Sequence, residues 1–108
     1  MVERCSVILT TTDDQEVVNR IIGNLLAENL ASCVQVNDIV SYFRWEGKVV
    51  TKKEYRVVIK ARSDNYNDIE TLIMKTHNYD LPQIIKLEIQ GGLPAYLNWL
   101  AGSSKDIF

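Results

Sequence analysis

Residues Cys33 to Ala61 carry two long alternations of apolar and polar side chains on either side of one Glu46-Gly47 pair. No other stretch restricts the fold as much. Alternation marks a strand with two unlike faces, and a two-residue connection containing Gly closes a hairpin. The first arm runs through Cys33-Val-Gln-Val36 and then Ile39 to Trp45; the second runs from Lys48 to Ala61. Tyr55, Val57 and Ile59 share one face, and Glu54, Arg56, Val58 and Lys60 share the other. Arms of about thirteen residues at ~3.3 Å each reach roughly 40–45 Å, whereas a compact domain of this length is roughly 35 Å across. The outer half of the hairpin carries Val40, Tyr42, Phe43, Trp45, Val49, Val50 and Tyr55. Burying each large apolar side chain is worth roughly 1.5–3 kcal/mol, and soluble monomers rarely leave such a patch, or long unpaired strand edges, in water. Two arrangements answer this. In one, further copies of the chain cover the arm, with Tyr42, Phe43, Val49 and Tyr55 as contacts and Trp45 as an anchor. In the other, a bulge or bend at Asn37-Asp38 folds the hairpin back on its own body.

The remaining chain reads as ordinary amphipathic elements. Cys5 to Thr11 is β-branched-rich and predicts a first strand. Thr12-Asp-Asp-Gln15 and Asp13-Asp-Gln-Glu16 both fit a helix-start capping pattern. The spacing of Val17, Val18, Ile21, Ile22, Leu25, Leu26 and Leu30 predicts a core-facing helix over 14–29, with Gly23 inside it to allow close approach to the sheet. Ser63-Asp-Asn opens a second helix, with Tyr66, Ile69, Leu72 and Ile73 inward and an end near Thr76 or His77. A loop from Asn78 to Pro82 leads to a strand over 83–89, which Gly91-Gly92 ends. Pro94 suits the first turn of a short helix with Tyr96, Leu97 and Leu100 inward and Gly102 as its stop. The order β-α-β-β-α-β plus a small helix predicts an α+β, ferredoxin-like domain: two helices on one face of a four-stranded antiparallel sheet.

With 108 residues and no linker, repeat or low-complexity tract, the chain is one domain, with a loose tail over 102–108. A net charge of −2 argues against nucleic acid as a partner. The first strand also lacks the aromatic–basic motif of an RNA-recognition sheet. The apolar run Val7-Ile-Leu9 is too short for a signal-peptide core or a membrane span, so no membrane is expected and the compartment is cytosolic. Cys5 and Cys33 are then reduced thiols.

Several collinear motifs carry a family resemblance. They are Leu26-Ala-Glu-Asn-Leu-Ala-Ser-Cys-Val34, Ser41-x-x-x-Trp45-Glu-Gly-Lys-Val49, Glu54 with Ile59-Lys60, His77-x-Tyr79-Asp-x-Pro82-x-Ile84, and Gly92-x-Pro94-x-Tyr96-Leu-x-Trp99. Over nearly its whole length the chain resembles the CutA family of divalent-cation tolerance proteins. The resemblance implies a three-fold trimer built through the long hairpins, similar to that of the PII-type signalling proteins. It also implies a cytosolic role in tolerance of copper and other divalent metals. The chain departs from the family pattern at Phe43 (commonly Tyr), Asn78 (commonly Pro), Thr10 (Cys in some members) and Thr76 (His in some members).

Candidate chemistry is sparse. His77, the sole histidine, with Cys33 offers imidazole and thiolate donors for copper or another divalent cation. The plainer roles are a helix-terminal histidine bonded to a last-turn carbonyl and a small core thiol. A closed metal site needs several ligands, so neighbouring copies would have to contribute. Trp45, Glu54, Lys60 and Tyr79 are candidates for a cleft between subunits, where Lys60 could grip a small anionic metabolite; the alternative to a metal-tolerance role is then a PII-like sensor that binds such a ligand there. Gly91-Gly92 before a helix offers free N–H groups, but only a plain turn is required there. No G-x-S-x-G occurs, and His77 with Asp80 is an acid–base pair without a nucleophile, so no enzyme activity is expected.

Overall fold

The hairpin register sets the shape of the molecule. The computed structural model describes residues 4–102. Its elements are β1 (Cys5–Thr12), α1 (Gln15–Ala27), β2 (Cys33–Trp45), β3 (Lys48–Arg62), α2 (Tyr66–Thr76), β4 (Ile84–Glu88) and α3 (Pro94–Leu100). The sheet order is β2-β3-β1-β4 with every pair antiparallel. This is the ferredoxin-like α+β arrangement expected from the alternation of elements. Of the expected tail over 102–108, residues 103–108 lie outside the described residues.

β2 and β3 pair without a slip from Cys33↔Lys60 to Trp45↔Lys48. Asn37 and Asp38 therefore make no bulge, and the arm does not fold back. Glu46 (φ 50°) and Gly47 (φ 77°) both take the left-handed conformation that a two-residue primed turn demands. β1 reaches only from Cys5↔Arg62 to Thr12↔Tyr55, so the part of β3 before Tyr55 has no partner on that side. The molecule measures 48 × 26 × 24 Å with a radius of gyration of 14.9 Å, above the ~13 Å of a compact domain this size.

The core fills the space between one sheet face and the two main helices. Ile8, Val57, Ile59 and Ala61 meet Val17, Val18, Ile21 and Leu25 of α1 and Ile69, Leu72 and Ile73 of α2. Tyr55, expected among the contacts between copies, is partly buried and packs against the edge of this core. Thr10 is buried on the same side with its hydroxyl unpartnered. A smaller cluster joins Cys5, Leu100 and Ala101 with Cys33, Tyr96 and Trp99.

Local signals explain the element ends. Asp14 caps α1 by accepting the Glu16 N–H at 2.9 Å, and Asn29 turns left-handed just after it (φ 55°). α1 is thus shorter than 14–29, and Leu26 is exposed rather than inward. Gly23 faces open space and brings nothing closer to the sheet. Ser63–Asn65 forms a 3-10 turn ahead of α2, and β4 is shorter than 83–89. Pro94 opens α3 and Gly102 follows it with φ 83°.

Candidate functional site

The site forms where the arm leaves the body, on the sheet face away from α1 and α2. Period-2 alternation puts Lys52, Glu54, Arg56, Val58 and Lys60 of β3 on that face. It holds Ser41, Phe43 and Trp45 opposite, through the pairs Ser41↔Lys52, Phe43↔Val50 and Trp45↔Lys48. The loop between α2 and β4 then crosses this face and brings Tyr79 against Glu54.

His77 makes that crossing possible. Its backbone N–H closes α2 on the Ile73 carbonyl at 2.8 Å, and its own backbone is extended. The ring bridges two backbone groups. Nδ1 accepts the Tyr79 N–H at 3.0 Å, and Nε2 meets the Thr11 carbonyl at 2.7 Å. Because a carbonyl only accepts, Nε2 carries the proton and the ring is the neutral Nε2–H tautomer. The expected bond to a last-turn carbonyl is replaced by this bridge to β1.

Glu54 is a buried carboxylate, only 7% exposed. The Tyr79 hydroxyl donates to its Oε2 at 2.7 Å. Partial burial, then the hydrogen bond and the negative charges of Glu54 and Asp13, raise the Tyr79 phenol above its ordinary pKa. Lys52 Nζ lies 4.8 Å from the Tyr79 ring centroid and 3.2 Å from Asp13 Oδ2. Asn78 donates to Asp13 Oδ1 at 2.9 Å and accepts from the Thr12 hydroxyl at 2.6 Å. Burial pushes the Asp13 carboxyl up. The hydrogen bonds from Asn78 and Lys52 and the Lys52 charge outweigh that and hold it below its ordinary pKa. Beside this network lies an open groove of about 660 Å³, within the ~300–1,000 Å³ range of small-molecule sites. Phe43, Trp45, Val50 and Leu81 give it apolar walls, and Glu54, Tyr79 and Asp80 give it polar ones.

Of the residues proposed from sequence, Trp45, Glu54 and Tyr79 share this groove, whereas Lys60 does not. Lys60 is six positions beyond Glu54 on β3, about 20 Å away, with Nζ 5.8 Å from the Tyr96 ring centroid. Cys33 pairs with Lys60 at that same far end, so it does not meet His77 within this subunit. His77 and Asp80 are not hydrogen-bonded to each other; Asp80 instead faces the groove. Among the described residues no group of three or more His, Cys, Asp or Glu is placed to hold a metal ion. With both His77 nitrogens already engaged, the donors in one subunit do not fit a resident metal. Tyr42 and Val49, with Val40, stand in solvent on the arm. Sequence reasoning missed Lys52 and Asp13. The parity of β3 puts Lys52 beside Glu54, but no local signal brings Asp13 to it.

The CutA1 divalent ion tolerance protein family matches over residues 6–103. The chain belongs to the CutA1 family. It is 37% identical over 101 residues to the chloroplastic protein CutA 1 of Oryza sativa subsp. japonica, covering 93% of this chain and 57% of the rice protein. It is 30% identical over 99 residues to the divalent-cation tolerance protein CutA of Pyrococcus horikoshii, covering 92% and 97%. The solved structure of the periplasmic divalent cation tolerance protein CutA from Archaeoglobus fulgidus superposes with a TM-score of 0.85 at 32% identity, over 89% of this chain and 94% of that one. The family model is named for a tolerance rather than for a reaction, and the rice protein is named chloroplastic and the Archaeoglobus protein periplasmic. Among the described residues no helix is long and apolar enough to cross a membrane.

Proposed function

We propose that this CutA1 chain works as a cytosolic homotrimer in tolerance of divalent metal ions, copper among them, and not as an enzyme. The observation that carries this reading is the overhanging arm. Tyr42 and Val49 are 72% and 70% exposed, with Val40 and Trp45 about half exposed beside them. Surface of that kind is rare on a soluble monomer, and sibling subunits remove it from water. A metal ion on His77 must displace the Tyr79 N–H or the Thr11 carbonyl, and its other ligands must come from another copy.

Sedimentation equilibrium at micromolar protein tests the assembly: three copies are expected, and a stable single copy refutes the reading. Calorimetric titration of copper into the protein and its His77→Ala variant tests the ligand. Weaker binding by the variant is expected, and equal binding removes His77 from the site.

A further inference from the structure

The groove between the arm and the 77–83 loop has a charge that its apolar walls do not explain. Among its described lining residues, Lys52 is the sole cation, and it is already held by Asp13 at 3.2 Å and set over the Tyr79 ring. Glu54 and Asp80 face the groove as carboxylates, and Glu54 is 7% exposed. An anion entering here meets two negative charges and a lysine with its charge already paired. A cation meets the reverse, together with the rings of Phe43, Trp45 and Tyr79, whose faces attract positive charge. The volume of about 660 Å³ exceeds what a bare ion fills, and no three-ligand set is present among the described residues. We infer that the groove binds a small organic cation, an ammonium group carried on an apolar or aromatic body. The ammonium sits at Glu54 and Asp80 and the body lies against Phe43 and Trp45. This goes beyond the proposed assembly, because every lining residue named here belongs to a single copy of the chain. It opposes the small anionic ligand expected from sequence.

The test is calorimetric titration of the full chain with 2-phenylethylamine and, separately, with 3-phenylpropionate, which has a similar body and the opposite charge. Saturable binding of the amine is expected, with the anion at least about tenfold weaker. Glu54→Gln keeps an acceptor for Tyr79 but removes the charge, and is expected to weaken the amine about tenfold. Asp80→Asn, at an exposed loop position, repeats the test where folding is not at stake. Equal or tighter binding of the anion overturns the inference. So does no saturation by the amine, including the case in which a sibling's side chain already fills the groove. Sedimentation of the same samples separates the two readings. A trimer that ignores the amine ends this inference and leaves the assembly standing. A monomer that binds the amine does the opposite.

Discussion

The two halves of β3 follow one pattern and have opposite fates. In the inner half, Val57 and Ile59 are wholly buried beneath α1 and α2. In the outer half, Val49 occupies the same face of the same strand, in the same unbroken register, and stands in solvent. Alternation states which face is apolar. It does not state what lies on that face. The inner half is completed by its own chain, and the outer half is exposed.

The sharpest break of this comparison is Ile59→Ala. It leaves a cavity under both helices and is expected to cost about 2–5 kcal/mol in urea unfolding, by a similar amount at every protein concentration. Trp45→Ala on the arm should behave differently. A central aromatic anchor is worth about 2 kcal/mol or more at an interface. Its loss is expected as a shift of the assembly's dissociation to higher protein concentration in sedimentation, with the far-UV spectrum unchanged. If Trp45→Ala instead unfolds the chain regardless of concentration, the two halves are not separate.

Smaller changes probe the junction. Tyr79→Phe removes the donor to the buried Glu54 carboxylate and is expected to destabilise by about 1.5 kcal/mol, measured by thermal unfolding. Thr10→Val replaces a buried, unpartnered hydroxyl with a methyl group. It is expected to stabilise by about 1 kcal/mol, and a loss would mean the hydroxyl has a partner. The smallest effect belongs to Asp13. Its folded pKa lies below the ordinary 3.8, so its contribution is full above that value and fades as pH falls through the folded one. Exposure of the Asp13–Lys52 pair limits this to about a few tenths of a kcal/mol. Comparing acid unfolding of the protein and Asp13→Asn checks it: the variant should lose less stability below pH 4.

Much of the fold was legible because its signals are local. The Glu46-Gly47 turn, Asp14 as a cap, Pro94 as a helix start and the period of α2 each act within a few residues. The errors also have local causes. Leu26 has the right spacing for the α1 stripe but sits one residue from the helix end, just before Asn29 turns the chain away. Tyr55 marks the boundary between arm and body, because β1 ends opposite it, at Thr12. The site was legible in part. Trp45, Glu54 and Tyr79 line one groove of the subunit, while Lys60 lies at the far end of β3 and the Lys52–Asp13 pair has no local sequence signal.

By itself the sequence determined the elements, their faces and a hairpin longer than its body, because periodicity and turn chemistry are properties of neighbouring residues. Only the tertiary structure decided where β1 stops, that His77 spends both ring nitrogens on backbone, and that Asp13, Lys52, Glu54 and Tyr79 converge. Those outcomes depend on how far strands overlap and where a crossing loop lands. Such distances are set by the packing of segments remote in the chain, and no window of sequence contains them.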